Sequence, residues 1–347
     1  MSKFAFIDRD GTMINEPEET KQIDSLSKLK ILPGAINGLQ RLLKADYKLV
    51  MVSNQDGVGT KFFPKKDFLK PQNALLKILK QNKIKFYKIF VCPHLPQKNC
   101  SCRKPKLGLL KNFLKEENID LKNSLVIGDR PSDQQLAKNL KIKFIEMATN
   151  SRFPRFAFIN RETKETKINL ELNLDGTGKH DIKTGFGYFN HMLELFSKHS
   201  LIDLKINAQG DLRVDEHHTV EDIGIVLGQA IRQALGDKKG IRRYGFLLPM
   251  DETLAQVALD LGGRSYLVFN YQPKREYVGD LPTELVEDFF QAITENLGCN
   301  LHIAIKYGRN EHHKIEAIFK AFAKTIKMAV ENDPRAKNLL PSTKGKL

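Results

Sequence analysis

The segment FAFIDRDGT, residues 4–12, decides the fold of the first part of the chain. Its four leading residues suit a short buried strand, and a Gly-containing acidic cluster ends that strand. Further apolar runs at 48–53, 88–92 and 124–129 alternate with helix-like segments. This alternation predicts an α/β domain with a doubly wound, Rossmann-like parallel sheet. The polar residues that end its strands should meet at one edge, where ligands bind in such sheets.

The carboxylates of Asp8 and Asp10 point to phosphoryl chemistry at that edge. Two carboxylates so close in sequence can share Mg²⁺, which prefers oxygen ligands. One can attack phosphorus while the other protonates the leaving oxygen and later activates water. Ser53, at the end of the second strand, could bind a phosphoryl oxygen, and Lys104 could neutralise the nucleophile and the phosphate. A turn with chance acids is the alternative for the first motif taken alone.

Two later acids complete this set. Asp129 ends the strand at 124–129 and could fill the metal shell, and Asp133 lies one helical turn further on, where it could orient the site. In order and spacing, residues 1–150 resemble the haloacid-dehalogenase phosphatase superfamily. The resemblance implies Asp8 as nucleophile, Asp10 as general acid/base, and Mg²⁺ on Asp8, Asp10 and Asp129.

The loop CPHLPQKNCSC, residues 92–102, offers three thiolates and one imidazole, from Cys92, His94, Cys100 and Cys102. This spacing fits a closed tetrahedral Zn²⁺ site, which would pin the loop and position Lys104 behind it. Reduced cysteines in a metal-free loop are the alternative. The loop resembles that of the subfamily with the histidinol-phosphate and heptose-bisphosphate phosphatases, and the first domain alone does not separate these substrates.

The residue composition changes at TNSRFPRF, residues 149–156, which is typical of a linker. This linker predicts two domains, residues 1–154 and 155–347. The second part contains an internal repeat. Residues 215–235 and 310–330 share the pattern E-H-H-x-x-E followed by an apolar-periodic helix. We expect an α+β domain of two pseudo-symmetric halves, each with a helix on one face.

Each repeat offers metal ligands on two helix faces. His217 and Glu221 are four residues apart and share a face, whereas His218 is rotated by about 100°. Each metal could therefore receive a His/Glu pair from one copy, the lone His from the other, and one further His. The candidate ligands are His191, His217, His218, Glu221, His302, His312, His313 and Glu316. Imidazole with carboxylate suits Mn²⁺, Fe²⁺ or Zn²⁺, and a non-catalytic metal-storage module is the alternative.

The second part resembles imidazoleglycerol-phosphate dehydratase over residues 155–347, in segments such as GTGKHDIKTGFGYFNHML and EHHKIEAIFKAFA. The resemblance implies two Mn²⁺ ions per site and a homo-oligomer through this domain, a 24-mer. It also implies that Glu165 contacts the substrate. Further residues would grip the phosphate, namely Arg243, Arg264, Ser342, Thr343 and Lys344. The chain departs from the family at Asn190, where an Asp is usual, and at Thr343, which replaces a serine.

Both resemblances together match the bifunctional enzymes of histidine biosynthesis. They imply hydrolysis of L-histidinol phosphate through an aspartyl-phosphate. They also imply dehydration of imidazole glycerol phosphate to imidazole acetol phosphate at a di-metal site. Metals flanking the imidazole could stabilise an imidazolate that expels the adjacent hydroxyl as a diazafulvene forms. The alternative is a heptose-bisphosphate-type phosphatase fused to a metal-binding assembly module.

The composition of the chain argues against several other classes of protein. No stretch of the 347 residues reaches the roughly 18 apolar residues of a membrane span. The chain starts directly with a strand-like run, so we expect no signal peptide, no membrane partner and a cytoplasmic location. The net charge of +15 comes from scattered lysines, and we expect no nucleic-acid partner. A charge-driven nucleic-acid binder would have to bind tightly near physiological salt.

Overall fold

A computed structural model describes residues 1–147, 149, 151–211, 216–245, 248–336 and 339–345. Asp215, the first residue of the repeat, lies outside them. The chain divides into two compact units, Met1–Pro154 and Arg155–Leu347. No helix among the described residues is both long enough and apolar enough to cross a membrane.

The first unit is a parallel sheet with helices between its strands, which confirms the predicted α/β class. Its strands are β1 (Lys3–Ile7), β2 (Tyr47–Asn54), β3 (Lys88–Cys92), β4 (Leu125–Gly128) and β5 (Lys143–Glu146). Its helices are α1 (Ala35–Lys44), α2 (Lys65–Gln81), α3 (Lys111–Glu116) and α4 (Pro131–Leu140). The strand order is β3-β2-β1-β4-β5, all parallel.

The sheet order explains the apolar runs. The strand β1 lies in the middle of the sheet, and Phe4, Phe6, Val50 and Val126 are buried together in the core. Strands covered on both faces become almost continuously apolar. Because all strands are parallel, their polar C-terminal ends meet at the same edge.

The second unit consists of two halves with a similar element order, and the second half has three additional short strands. The first half contains β6 (Phe156–Glu162), β7 (Thr166–Asn173), β8 (His180–Lys183), α5 (Gly187–Ser200), β9 (Asp203–Gly210) and α6 (His217–Leu235). The second contains β10 (Tyr244–Gly245), β11 (Leu248–Met250), β12 (Thr253–Asp260), β13 (Tyr266–Asn270), the short pair β14 (Tyr277–Val278) and β15 (Leu281–Pro282), α7 (Leu285–Leu297), β16 (Asn300–Tyr307) and α8 (Glu311–Val330). The predicted pseudo-symmetric pair is thus confirmed.

Strand pairing shows the same correspondence. The sheets run β6-β7-β9-β8 and β10-β12-β16-β13, with β11 also paired to β12. In each sheet the last pair, β8 with β9 and β13 with β16, is parallel. Parallel neighbours need a crossover, and α5 and α7 provide it. Each described half therefore has a crossover helix in addition to the motif-bearing helix expected from the repeat.

Helices of one half pack against helices of the other, α6 against α7 and α5 against α8. Two glycines allow the first of these pairs to approach closely. A Cβ atom at Gly224 would lie 2.7 Å from the carbonyl oxygen of Phe289, and one at Gly228 would lie 2.8 Å from that of Ile293. This packing places the start of each motif-bearing helix against the other half.

Candidate functional sites

The acidic centre, formed by Asp8, Asp10, Asp129 and Asp133 around Lys104, lies at the edge predicted from the strand ends. The N–H of Asp8, just after β1, donates to the carbonyl of Ile127 in β4 at 3.0 Å. The ammonium of Lys104 lies 2.7 Å from Asp8 Oδ1 and 2.7 Å from Asp133 Oδ1. Lys104 is only 4% exposed. Although burial disfavours its charge, the two carboxylates raise the pKa of Lys104.

The carboxylate of Asp10 is held by other groups. Gln55 donates from its Nε2 to Asp10 Oδ2 at 2.5 Å and to Ser53 Oγ at 2.7 Å. The buried Arg9 lies 3.0 Å from Asp10 Oδ1, with its guanidinium over the Phe68 ring. Burial raises the pKa of Asp10 against these opposing contacts. A carboxyl with a raised pKa holds a proton more readily, which suits the role of a general acid.

Oxygen ligands for a cation converge in this centre. One carboxylate oxygen each of Asp8, Asp129 and Asp133 lie within 4.8 Å of one another. Thr12 and Thr149 donate to Asp129 at 3.0 and 2.7 Å and so fix that carboxylate. Burial raises the pKa of Asp133 to about 6, and the nearby Asp8 adds to the shift. A hard-oxygen set of this kind fits Mg²⁺. Asp10, expected in the set, is outside this group of carboxylates.

The space in front of these acids is lined by polar and charged groups. Arg130, at the start of α4, pairs with Glu16 and lies 3.9 Å from Asp129. The lining residues are Asp8, Asp10, Ser53, Asn54, Lys104, Arg130 and Ser132. A site with cations on both sides of its acids suits a phosphorylated ligand.

The thiol cluster, formed by Cys92, His94, Cys100 and Cys102, is compact and contains no disulfide. The three sulfur–sulfur distances are 3.2, 3.3 and 3.6 Å. His94 Nδ1 lies 3.1 Å from Cys102 Sγ and 3.8 Å from Cys92 Sγ. A tetrahedron with Zn–S bonds of about 2.3 Å has edges of roughly 3.7 Å. The donor set and its dimensions fit Zn²⁺.

The thiol cluster is connected to Lys104. Arg103, between the last cysteine and the lysine, pairs with Asp56 and donates to the His94 carbonyl at 3.2 Å. Asn54 binds both main-chain groups of Lys104, accepting from its N–H at 3.0 Å and donating to its carbonyl at 3.3 Å. The end of β2 therefore fixes the backbone from which the ammonium reaches Asp8.

The first motif, His217, His218 and Glu221, opens α6. His217 Nε2 lies 3.8 Å from Glu221 Oε2, as expected for the shared face. Its Nδ1 lies 3.4 Å from an oxygen of Asp288, which α7 supplies. His218 points elsewhere, with Nδ1 3.5 Å from Glu165 Oε2. Sequence reasoning missed Asp288 because its partner lies far away in the chain.

The second motif, His312, His313 and Glu316, opens α8 in the same way. His312 Nε2 lies 3.3 Å from Glu316 Oε2. Burial opposes the charge of Glu316, but Lys320, His312 and then His191 of α5 together lower its pKa. The packing of α5 against α8 thus brings His191 near this motif.

Glu252, which sequence reasoning missed, contacts the second histidine of this motif. Its Oε2 lies 2.8 Å from His313 Nδ1. The hydrogen bond from His313, followed by main-chain donors, lowers the pKa of Glu252 to about 2. The same bond raises the pKa of His313.

His191 and Asp288 occupy corresponding places. Each lies ten residues before the left-handed residue that follows its helix, Leu201 after α5 and Gly298 after α7. Each also lies near the His/Glu pair of the other half. An alignment of the two halves that extends beyond the E-H-H-x-x-E segment places Asp288 opposite His191, and this correspondence could have revealed Asp288 from the sequence.

Other expected residues lie apart from the motifs. His302 is exposed on β16, near the ring of Tyr266. Within the described residues, the eight expected ligands do not form one cluster of the kind seen at the cysteines. Asn190 accepts from the N–H and hydroxyl of Thr184 at 2.9 and 2.8 Å, so its oxygen is bound to that residue.

The expected phosphate residues are partly brought together. Arg243 pairs with Asp260, with 2.8 Å between Nη2 and Oδ2, and donates to the Pro341 carbonyl at 2.8 Å. The segment with Ser342, Thr343 and Lys344 therefore begins beside Arg243. Arg264 is exposed, and its carbonyl accepts from Asn300.

Two protein families match different parts of the chain. The family described as "Imidazoleglycerol-phosphate dehydratase" matches residues 184–326, and the family described as "Polynucleotide kinase 3 phosphatase" matches residues 3–151. The "Histidine biosynthesis bifunctional protein HisB" of Spirosoma linguale is 47% identical over 100% of both chains. The protein of that name from Actinobacillus pleuropneumoniae serotype 3 is 46% identical over 99% of this chain and 98% of its own.

A solved structure is similar to the second unit. The imidazoleglycerol-phosphate dehydratase of Staphylococcus aureus is 44% identical. The match covers 51% of this chain and 99% of that one, with a TM-score of 0.47.

Proposed function

Because the chain belongs to the family of bifunctional histidine biosynthesis proteins, we propose that it is an enzyme with two activities. Residues 1–154 would hydrolyse L-histidinol phosphate, and residues 155–347 would dehydrate imidazole glycerol phosphate to imidazole acetol phosphate. The observation that carries the first activity is Lys104, buried between Asp8 and Asp133 at 2.7 Å from each. The pairing of two motif-bearing helices with α5 and α7 supports the second.

In the phosphatase reaction, Asp8 attacks phosphorus and the ester P–O bond breaks, leaving an aspartyl-phosphate. Lys104 and Ser53 bind the phosphoryl oxygens and compensate their charge. Asp10, whose pKa burial raises, gives its proton to the leaving alkoxide. It then takes a proton from the water that hydrolyses the acyl phosphate, so one residue serves both half-reactions.

Metals support this unit in two ways. Mg²⁺ would be held by Asp8 and Asp129, where it would offset phosphoryl charge. The carboxylate of Asp10 is engaged by Gln55 and Arg9. A contribution of Asp10 to the ion would therefore come from its main-chain oxygen. Structural Zn²⁺ in the thiol cluster would hold the loop that carries Lys104.

The dehydratase would use two Mn²⁺ ions. We place His217 and Glu221 with Asp288 in one set, and His312 and Glu316 with His191 in the other. A lone histidine, His218 or His313, would complete each set. Asp288 has better support than His302, because it lies 3.4 Å from His217. The bound ions would favour the imidazolate form of the substrate, and Glu165 would move a proton.

The separation of these ligands within one chain supports a homo-oligomer. Among the described residues, neither motif gathers a complete ligand set, so copies of the chain would complete each other's sites. The number of copies, 24, is proposed only because the resemblance to the dehydratase family implies it, as it implies Arg243 and the tail as phosphate contacts. Light scattering with and without Mn²⁺ tests it, and a monomer that is active in dehydration would contradict it.

A three-substrate assay tests the function as a whole. Purified chain is given L-histidinol phosphate, a heptose bisphosphate and imidazole glycerol phosphate. We expect turnover of the first and third. Turnover of heptose bisphosphate without dehydration would favour the alternative of a heptose-type phosphatase fused to an assembly module. Nucleic acid is not an expected partner, and the cytoplasmic location stays a prediction.

A further inference from the structure

The second histidine of each motif has a carboxylate at its Nδ1, and both carboxylates come from equivalent hairpins. His218 faces Glu165, which lies between β6 and β7, at 3.5 Å. His313 faces Glu252, which lies between β11 and β12, at 2.8 Å. Both glutamates lie outside the E-H-H-x-x-E segments, and each precedes its own segment in the chain. The correspondence is visible only when the two sheets are compared.

The two carboxylates are held very differently. Glu252 uses both oxygens, since Oε2 accepts from His313 and Oε1 accepts from the N–H groups of Arg309 at 3.3 Å and Asn310 at 3.1 Å. Those two residues lead into α8, so the carboxylate is tied to the start of the helix that carries His313. The side chain of Glu165 is 56% exposed and stays at 3.5 Å from its histidine.

We propose that Glu252 is a positioning residue that fixes His313 as a metal ligand, whereas Glu165 is left free to meet the substrate. This inference rests on the di-metal part of the proposed function. A carboxylate acceptor keeps the proton of His313 on Nδ1, which leaves the Nε2 lone pair for the ion and increases its donor strength. Such partners typically contribute about 10–100-fold to metal affinity.

The two pseudo-symmetric halves would then use the equivalent glutamates for different tasks. The same hairpin position carries a glutamate with both oxygens bound in one half and an exposed glutamate in the other. The bound carboxylate of Glu252 suits a positioning role, and the exposed carboxylate of Glu165 can reach a substrate. The tight contacts at Glu252 and the loose contact at Glu165 follow this division of work.

Manganese titration of the full chain, followed by the EPR signal of free Mn²⁺, tests the inference. The variants are Glu252→Gln, Glu252→Ala and Glu165→Gln, with Glu162→Gln as an exposed control and His313→Ala as the reference for a lost ion. The phosphatase metal site is the same in all of them, so differences report the second unit. Circular dichroism and the phosphatase rate of each preparation check folding.

We expect Glu252→Gln to weaken the His313-dependent ion about 10-fold and Glu252→Ala up to about 100-fold. Glu165→Gln should change its affinity by less than about 3-fold, and Glu162→Gln should not change it. If His313→Ala loses the ion while Glu252→Gln binds as tightly as wild type, the positioning role is wrong. If His313→Ala itself binds Mn²⁺ like wild type, the di-metal proposal fails instead.

Discussion

The two units assemble their candidate sites in opposite ways. In the first unit, two strand ends and the first turn of α4 bring carboxylate oxygens of Asp8, Asp129 and Asp133 within 4.8 Å of one another inside one chain, beside the buried Lys104. In the second, half-buried histidines at the starts of α6 and α8 form separate groups. A parallel sheet can complete a site alone, because its strand ends converge. The helix starts of α6 and α8 lie on two different halves, and we propose that a further copy of the chain supplies the ligands that each group lacks.

The largest effect is expected for Lys104→Met. The substitution keeps the length of the side chain but leaves Asp8 and Asp133 without their shared cation, so like charges remain buried together. We expect the phosphatase kcat to fall about 10³-fold, in the range found when a charge-stabilising group is removed. The dehydratase rate of the same preparation should not change. Lys106→Met, at an exposed neighbouring lysine, is the matched control, and an equal loss there would contradict the role of Lys104.

A loss of about 10–100-fold is expected for Cys102→Ser. Cys102 lies within 3.3 Å of Cys92, His94 and Cys100. Its removal would take one ligand from the proposed zinc site and loosen the loop that carries Lys104. Elemental analysis should show loss of zinc together with the loss of phosphatase rate. If the variant lacks zinc but retains the full phosphatase rate, the thiol cluster is not required for catalysis.

About a 10-fold loss of phosphatase kcat is expected for Asn54→Ala. Both hydrogen bonds to the Lys104 main chain disappear, and a small displacement of the ammonium is enough to slow the reaction. The contacts of Asn54 are to protein main chain, so KM should change less than kcat. A rise in KM at unchanged kcat would instead assign Asn54 to substrate binding.

A change in metal preference, not in phosphatase rate, is expected for Asp288→His, which would make the two proposed ligand sets alike. Compared with a carboxylate ligand, an imidazole ligand has a stronger preference for Zn²⁺ over Mn²⁺. We expect the ratio of Zn²⁺ to Mn²⁺ affinity in the second unit to rise about 10-fold, measured by competition. Asp288→Asn is the control. An unchanged ratio would place Asp288 outside the metal sets.

The sequence predicts those features that are local in the chain. The sheet follows from apolar runs that end on polar residues, and the thiol cluster lies within the segment 92–102. The helix faces of the two motifs follow from helical periodicity alone. In each case the residues that define the feature are close neighbours in sequence.

Residues that act through distant partners were not predictable in this way. Asn54 contacts a residue 50 positions later, and Glu252 one that is 61 positions later. The separation of the eight expected dehydratase ligands was not predictable for the same reason, because it depends on contacts between distant parts of the chain. Spacing predicts which residues share a helix face, but it does not predict which face another helix will cover. Only the packing of α6 on α7 and of α5 on α8 decides that.

The most direct test that the two activities are independent is to inactivate each site separately in the full chain. Both reactions are measured in the same preparations of Asp8→Asn and His313→Ala. We predict that Asp8→Asn abolishes hydrolysis of histidinol phosphate and leaves dehydration at the wild-type rate, and that His313→Ala does the reverse. Equal loss of both activities in either variant would contradict the account.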